Sequence, residues 1–201
     1  MDAAAKLFAR RGFSGTSMQD IADALGIRKP SLYKHFASKD DLYSAVLQQA
    51  LIPFSAAIDD VLNSKSPGQN PRALSATSLR ILGDNPDVSH LLLQELIQLD
   101  RPIHPDLDHW LDLLFSQADS VVALEGGADF GPLERRLILL TQLNVVLGFA
   151  VAKRLLPQNI DSEELFTLER DILQNVVAAL YGASSHGKSR VQLPSVNTDG
   201  G

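Results

Sequence analysis

Between residues 27 and 42 the chain reads IRKPSLYKHFASKDDL, a short apolar frame that carries Lys29, Ser31, Tyr33, Lys34 and His35. Lysine and arginine neutralise phosphates and release their counterions, Ser and Tyr hydroxyls donate to phosphate oxygens, and His adds a donor that becomes charged near neutral pH. Those side-chain types suit a polyanion such as DNA. The chain as a whole is acidic, with a formal charge of -6. The charge is uneven. From Arg10 to Lys39 six cations face only Asp20 and Asp23, a net of +4, which leaves -10 for the remainder. A cationic head on an acidic body points to a polyanion bound at one end only.

The elements that must position these side chains are helical, because no sustained period-2 alternation asks for a sheet. AAAKLFARRGF places Ala4, Leu7, Phe8 and Arg11 at helical spacing and stops at Gly12. Ser17 and Asp20 form a capping-box variant that opens a second helix, expected to bury Ile21, Ala22 and Leu25. Gly26 ends it, and Pro30 stands in the first turn of a third helix, where its missing amide costs nothing. Helices two and three thus have the punctuation of a helix-turn-helix, whose second helix lies in the DNA major groove. Leu32 and Phe36 would anchor that helix and leave its cations outside. The amino ends at Ser17 and Ser38 can hold a phosphate, with Lys39 reinforcing the second.

Ser38 and Asp41 begin a long helix toward Leu62. Pro53 removes the hydrogen bond to the Gln49 carbonyl and predicts a kink there, or two helices in place of one. After a Pro/Gly linker over Asn63 to Pro71, helices are expected near 72–83, 87–100, 106–124, 133–156 and 162–182, with a Gly-rich break between Glu125 and Pro132. Asp161 is placed to cap the last helix. The expected fold is all-α: an N-terminal three-helix helix-turn-helix head over residues 1–45, a larger C-terminal helical bundle over 46–183, and a flexible tail over 184–201, about nine helices in all.

Composition narrows the function classes. With 45% hydrophobic and 21% charged residues the chain is an ordinary globular protein. It has no Cys, which removes disulfides, thiolate metal sites and cysteine nucleophiles, and suits a reducing, cytoplasmic compartment. The most apolar stretch, Leu137 to Leu156, is interrupted by Gln142, Asn144, Lys153 and Arg154, so it reads as a buried helix and not a membrane span. There is no phosphate-cradling glycine loop, no nucleophile elbow and no His-Glu-x-x-His, so neither an enzyme nor a cofactor is expected.

ARRGFSGTSMQDIADALGIRKPSLYKHFASKDDLYSAVL closely resembles the DNA-binding head of the TetR family of bacterial transcriptional regulators. The shared marks are Leu7-Phe8 before Gly12-Phe13, Thr16-Ser17, Ile21-Ala22, Gly26-Ile27, Leu32-Tyr33, His35-Phe36, and Lys39 followed by Leu42. The resemblance implies that Lys29, Pro30 and Ser31 lie nearest the bases. It further implies that Tyr33, Lys34, His35 and Lys39 clamp phosphates, and that Thr16 and Ser17 hold a phosphate from helix two. Arg28 departs from the family's small capping residue and is expected to change the cap or to reach the DNA itself. The chain begins inside helix one, so a minor-groove contact from a preceding arm is absent or has been cut from this numbering. Beyond the head the resemblance is one of helical layout, which in this family means a ligand-binding and dimerising body.

A two-fold homodimer through the last two helices would place two heads on a palindromic operator. The middle helices would then enclose a small-molecule effector, with Trp110, Phe115 and Phe149 lining an apolar cavity and Gln94, His109, Gln142 and Asn144 orienting the ligand. HPDLDH brings His104, Asp106, Asp108 and His109 together as possible metal ligands, but their spacing fits no compact motif and Asp106 reads equally as a helix cap. Two rival readings stand beside a ligand-released repressor: a metal-dependent or other small-molecule enzyme on a helical scaffold, and a DNA-binding protein without an effector.

Overall fold

A computed structural model of the chain describes residues 1–63, 73–98, 101–124, 130–152, 155–156 and 159–183. The linker beyond Asn63, the Gly-rich break at 125–129 and the tail from 184 lie outside the described residues. The described residues form nine helices and no strand: α1 (Asp2–Arg11), α2 (Met18–Ala24), α3 (Lys29–Tyr33), α4 (Lys39–Asn63), α5 (Ala73–Asp84), α6 (Pro86–Ile97), α7 (Pro105–Leu124), α8 (Pro132–Ala152) and α9 (Ser162–Ala183). The protein is all-α, with a helix-turn-helix head carried on a helical body.

Local chemistry sets the boundaries. The Ser17 hydroxyl accepts from the Asp20 amide at 3.1 Å and the Asp20 carboxylate accepts from the Ser17 amide at 2.9 Å, a complete capping box at the start of α2. Ser38 accepts from the Asp41 amide at 3.0 Å, and Asp161 accepts from the Glu163 and Glu164 amides at 3.0 Å. Gly26, at φ 65, turns the chain from α2 toward α3 in the left-handed region that glycine enters without a Cβ clash. Leu25, expected inside, is exposed, because α2 ends at Ala24 and Leu25 is its C-cap.

Phe8, Ile21, Ala22, Leu32, Leu42, Tyr43 and Leu47 are buried together, so α1, α2 and α3 close over the first turns of α4. Burying a large apolar side chain of this kind contributes about 1.5–3 kcal/mol, and here it fixes the tilt of a helix only five residues long. α4 runs on through Pro53 as one helix, so of the two outcomes expected there, a kink or a division into two, the division does not occur. Pro53 is exposed, whereas Ala50, Leu51, Phe54, Ala57 and Ile58 are buried, so the packing of one face carries the helix across the missing hydrogen bond. In the body α4 packs on α5 and α7, α5 on α8 and α9, and α7 on α8, while α6 bridges α8 to α1 of the head.

A buried carboxylate closes the joint between head and body. Glu95 of α6 is 1% exposed. Its Oε2 accepts from the Tyr43 hydroxyl at 2.6 Å and pairs with Arg101, and its Oε1 accepts from the His104 amide at 2.7 Å. The Arg101 guanidinium also lies over Phe13 and Tyr43, 5.1 and 5.6 Å from their centroids, and Phe8, Phe13 and His104 surround the Tyr43 ring. Burial pushes the Tyr43 phenol up, and its hydrogen bond to the negative Glu95 pushes it further. Removing the carboxylate strands three buried donors. Glu95→Ala should therefore cost about 3 kcal/mol in urea denaturation, the low end for breaking a buried pair because Arg101 keeps some access to water. Glu95→Gln, which keeps one acceptor oxygen, should cost less.

Candidate functional site

The face that α3 turns outward is continuous. Arg28, Lys29, Pro30, Ser31, Tyr33, Lys34 and His35 are all exposed, and Leu32 alone on this helix is buried. Arg28 is the N-cap residue but makes no side-chain cap bond, so its guanidinium is left for other work. Among the described residues no ion pair uses Arg28, Lys29 or Lys34, whereas Arg11, Arg80, Arg101 and Arg170 each pair with a carboxylate. Lys29 Nζ stands 5.8 Å from the Tyr33 centroid, which ties the two ends of the helix electrostatically. Lys29, Ser31, Tyr33, Lys34 and His35 are the side chains that the sequence pattern leaves outside, and the fold brings them onto one surface with Arg28 and Pro30.

Two expected members are drawn inside instead. Thr16 is 1% exposed, and its hydroxyl donates to the carbonyls of Gly12 at 2.9 Å and Leu7 at 3.3 Å. That hydroxyl closes the end of α1 and has no free hydrogen for an external phosphate. Lys39 Nζ donates to the carbonyls of Phe13 at 2.8 Å and Thr16 at 3.0 Å and sits 4.1 Å from the Phe13 centroid. It staples the α1–α2 loop to the start of α4. The same loop requires Gly15, where an added Cβ would lie 2.2 Å from the Arg11 carbonyl oxygen. Ser17 stays exposed at the opening of α2, inside its capping box. The hydrogen bonds from Ser17 hold the Asp20 carboxyl below the usual aspartate range, helped by Arg11.

The seven expected ligand contacts divide more sharply. Trp110 and Gln142 line a cavity of about 60 Å³ together with Phe54, Ile58, Ser78 and Leu139, between α4, α5, α7 and α8. Trp110 donates its indole N–H to Ser55 Oγ at 3.1 Å and meets Phe54 edge to face. Phe115 and Phe149 pack into the cores and are not part of that lining. Gln94 donates to the Ala9 carbonyl at 2.9 Å, a tie from α6 to α1 outside the lining of that cavity. His109 and Asn144 are exposed, and Asn144 donates back to the Leu140 carbonyl. Helical periodicity marks which residues share a face but not which face meets a void, and that accounts for these misplacements.

The His104 to His109 cluster also comes apart. Asp106 accepts from Ser44 and, at 3.1 Å, from Gln48, which locks the start of α7 to α4. Burial opposes the charge of Asp106, but those two hydrogen bonds, with the nearby His104 and His109, together hold the carboxyl below the usual aspartate range. His104 is buried, with Nδ1 accepting from the Asp106 amide at 3.3 Å and Nε2 3.8 Å from Asp40, while Asp108 and His109 face solvent. Among the described residues no group of three such side chains is close enough to hold a metal ion. Sequence reasoning missed Glu95, Tyr43 and Arg101 altogether. The available signal was a lone Glu95 in the apolar run LLLQELI, since an acid there must find a partner.

These placements separate structural from surface cations. Lys39→Met should lower stability by about 2 kcal/mol, as expected for lost hydrogen bonds to a charged group, whereas Lys34→Ala should change it by less than about 0.5 kcal/mol. Thermal denaturation of both variants measures the contrast. Because the pKa of Asp20 is depressed in the fold, its contribution is present above the ordinary aspartate range and is lost as pH falls through the folded value. Asp20→Asn should therefore flatten the acid limb of the stability profile and leave its shape unchanged at neutral pH.

Residues 1–46 match the family model for bacterial regulatory proteins of the tetR family. The transcriptional activator FasR of Mycolicibacterium smegmatis is 51% identical over 47 residues, which cover 23% of this chain and 22% of FasR. The transcriptional repressor KstR2 of Mycobacterium tuberculosis is 41% identical over 64 residues, 32% of each chain. The matched segment thus spans only about a quarter to a third of the length of these curated relatives. The likeness of fold reaches further. The solved structure of KstR2, a ketosteroid transcriptional regulator, superposes with a TM-score of 0.62 at 23% identity over 90% of this chain and 91% of that one. AibR, solved with isovaleryl coenzyme A and operator DNA, superposes with a TM-score of 0.62 at 22% identity over 89% and 94%. The head of the chain, residues 1–46, thus matches the family model for tetR regulatory proteins, and the chain as a whole shares the fold of these solved regulators.

Proposed function

We propose that this chain is a ligand-responsive transcriptional regulator that binds a palindromic operator as a homodimer and represses until a small molecule releases it. The observation that carries the reading is the exposed, unpaired cationic face of α3 on a head whose residues 1–46 match the family. Lys29, Pro30 and Ser31 face the bases, with Arg28 beside them, while Tyr33, Lys34 and His35 hold phosphates and the amide end at Ser17 holds one more. Thr16 and Lys39 shape the head from inside.

The dimer is supported by what α8 and α9 leave uncovered. Leu133 and Leu137 on α8 and Leu168 and Ile172 on α9 are exposed, and an added Cβ at Gly148 would meet nothing within 4 Å. Asn144 falls on the same face of α8, which gives it a place at the seam. Two copies joined there make a four-helix arrangement and set two heads on half-sites about 34 Å apart, or a multiple of that distance.

The effector site is the cavity lined by Trp110 and Gln142. At about 60 Å³ it is well below the roughly 300–1,000 Å³ of formed ligand pockets, so an effector must spread α4, α7 and α8 to enter. Its lining suits an apolar ligand portion such as a short acyl group, in keeping with the acyl thioester named in the AibR complex. Phe54 of the cavity and Tyr43 of the head joint lie on the same helix, with the exposed Pro53 between them, so spreading at Phe54 is felt at the head. The shift cannot exceed the effector's differential affinity for the two head spacings. We assign the chain no catalytic role and place it in the cytoplasm.

Fluorescence anisotropy with the DNA upstream of its own gene, under excess competitor at two salt concentrations, tests the proposal. Tight binding that weakens steeply with salt is expected, with at least a tenfold loss on Tyr33→Ala combined with Lys34→Ala. Leu137→Glu combined with Leu168→Glu should yield monomers by sedimentation and lose operator binding with them. Monomeric wild-type protein, or binding no tighter than to competitor, would refute the reading.

A further inference from the structure

The kinds of side chain on α3, and the kinds missing from it, constrain which bases it can read. From Ile27 to Ala37 there is no carboxylate and no side-chain amide. Residues 1–45 contain no Asn and a single Gln, Gln19, whose Nε2 already donates to Asp23 at 2.7 Å. Asp20, the other acid of α2, is held by its capping box and by Arg11 at 3.3 Å. What the exposed surface offers at the start of α3 is therefore the donor-only ends of Arg28 and Lys29, the apolar ring of Pro30 and the hydroxyl of Ser31.

Each base pair shows a different pattern in the major groove. Guanine presents two acceptors, O6 and N7; thymine presents one acceptor and a methyl group; adenine sets an acceptor beside a donor; cytosine offers a donor. Adenine is read best by an amide that both donates and accepts, and cytosine by a carboxylate. The α3 face supplies neither group. Donor-only side chains find two complementary acceptors on guanine and meet the amino groups of cytosine and adenine as like partners, so repulsion sharpens the choice that attraction makes.

We infer that Arg28 and Lys29 read guanine through O6 and N7, and that Pro30 packs on the methyl group of an adjoining thymine, so each operator half-site carries guanine beside thymine under α3. This rests on the reading of the chain as a DNA-binding regulator and adds the chemistry of the bases it selects. Arg28, the residue that departs from the family's small cap, becomes a specificity determinant: its side chain makes no cap bond, and its guanidinium matches the two acceptors of guanine in a bidentate contact.

The test begins with selection from random duplexes by the full chain, followed by replacement of each guanine in the enriched half-site with 7-deazaguanine, which lacks the N7 acceptor. At one or two guanines the replacement should weaken binding by about five- to a hundredfold, the span that one good base contact confers. That penalty should vanish in Arg28→Ala or Lys29→Ala and persist in Lys34→Ala, which should weaken binding to all sequences alike. Replacing the adjoining thymine with uracil removes the methyl group and should give a smaller loss that disappears in Pro30→Gly. Insensitivity to 7-deazaguanine, or a penalty from 7-deazaadenine in its place, would overturn the inference while leaving the regulator reading standing. Failure to enrich any sequence would overturn both.

Discussion

The head can present a fixed face only because its joint to the body is fixed, and one buried carboxylate does most of that fixing. Glu95 reaches from α6 into a site walled by Phe8, Phe13 and Tyr43 and receives donors from three different segments. In such a low-dielectric place an unpaired carboxylate would be strongly destabilising, so the acid is tolerable only when Tyr43, Arg101 and the His104 amide all arrive together. An apolar core of similar volume can match a buried ion pair for stability, but apolar contacts slide and this one has a single satisfying geometry. The neighbouring ties of Gln94 to Ala9 and of Asp106 to Ser44 and Gln48 act in the same direction. A head held in this way is tied to α4 and α6.

The cations of the head show how one residue type serves two ends. Lys34 and Lys39 are five positions apart, yet Lys34 stands in solvent and Lys39 is spent on two backbone carbonyls and the Phe13 ring. Thr16 and Ser17 are adjacent and divide likewise, one hydroxyl turned inward to α1 and one set in a capping box at the surface. The interior members determine where the exposed members stand, since the α1–α2 loop that Thr16, Gly15 and Lys39 compress is the support under α2 and α3. The cationic face is therefore a consequence of packing as well as of composition.

In the body, small voids and exposed leucines matter more than any single polar residue. The cavity beside Trp110 is narrow because α4, α7 and α8 close on it from three sides with Phe54, Leu114 and Leu139. On the opposite side of α8, Leu133 and Leu137 are about half exposed among the described residues. α8 thus carries apolar side chains on its buried face and on its exposed one.

By itself the sequence determined the helical class, the caps at Ser17, Ser38 and Asp161, the left-handed turn at Gly26 and the outward set on α3, because each follows from spacing within a few residues. Local pattern also revealed the head that matches the tetR family model, because that match is a run of such short-range rules. Only the tertiary structure decided that Thr16 and Lys39 turn inward, that α4 passes through Pro53 unbroken, that Trp110 and Gln142 share a cavity while Gln94, His109, Phe115, Asn144 and Phe149 do not, and that Glu95 is the joint. Those outcomes depend on contacts between residues far apart in the chain: 23 positions separate Lys39 from Thr16, and 52 separate Tyr43 from Glu95. Periodicity states which face a side chain takes, whereas the partner on that face is supplied by another helix, whose distance and angle no local pattern encodes.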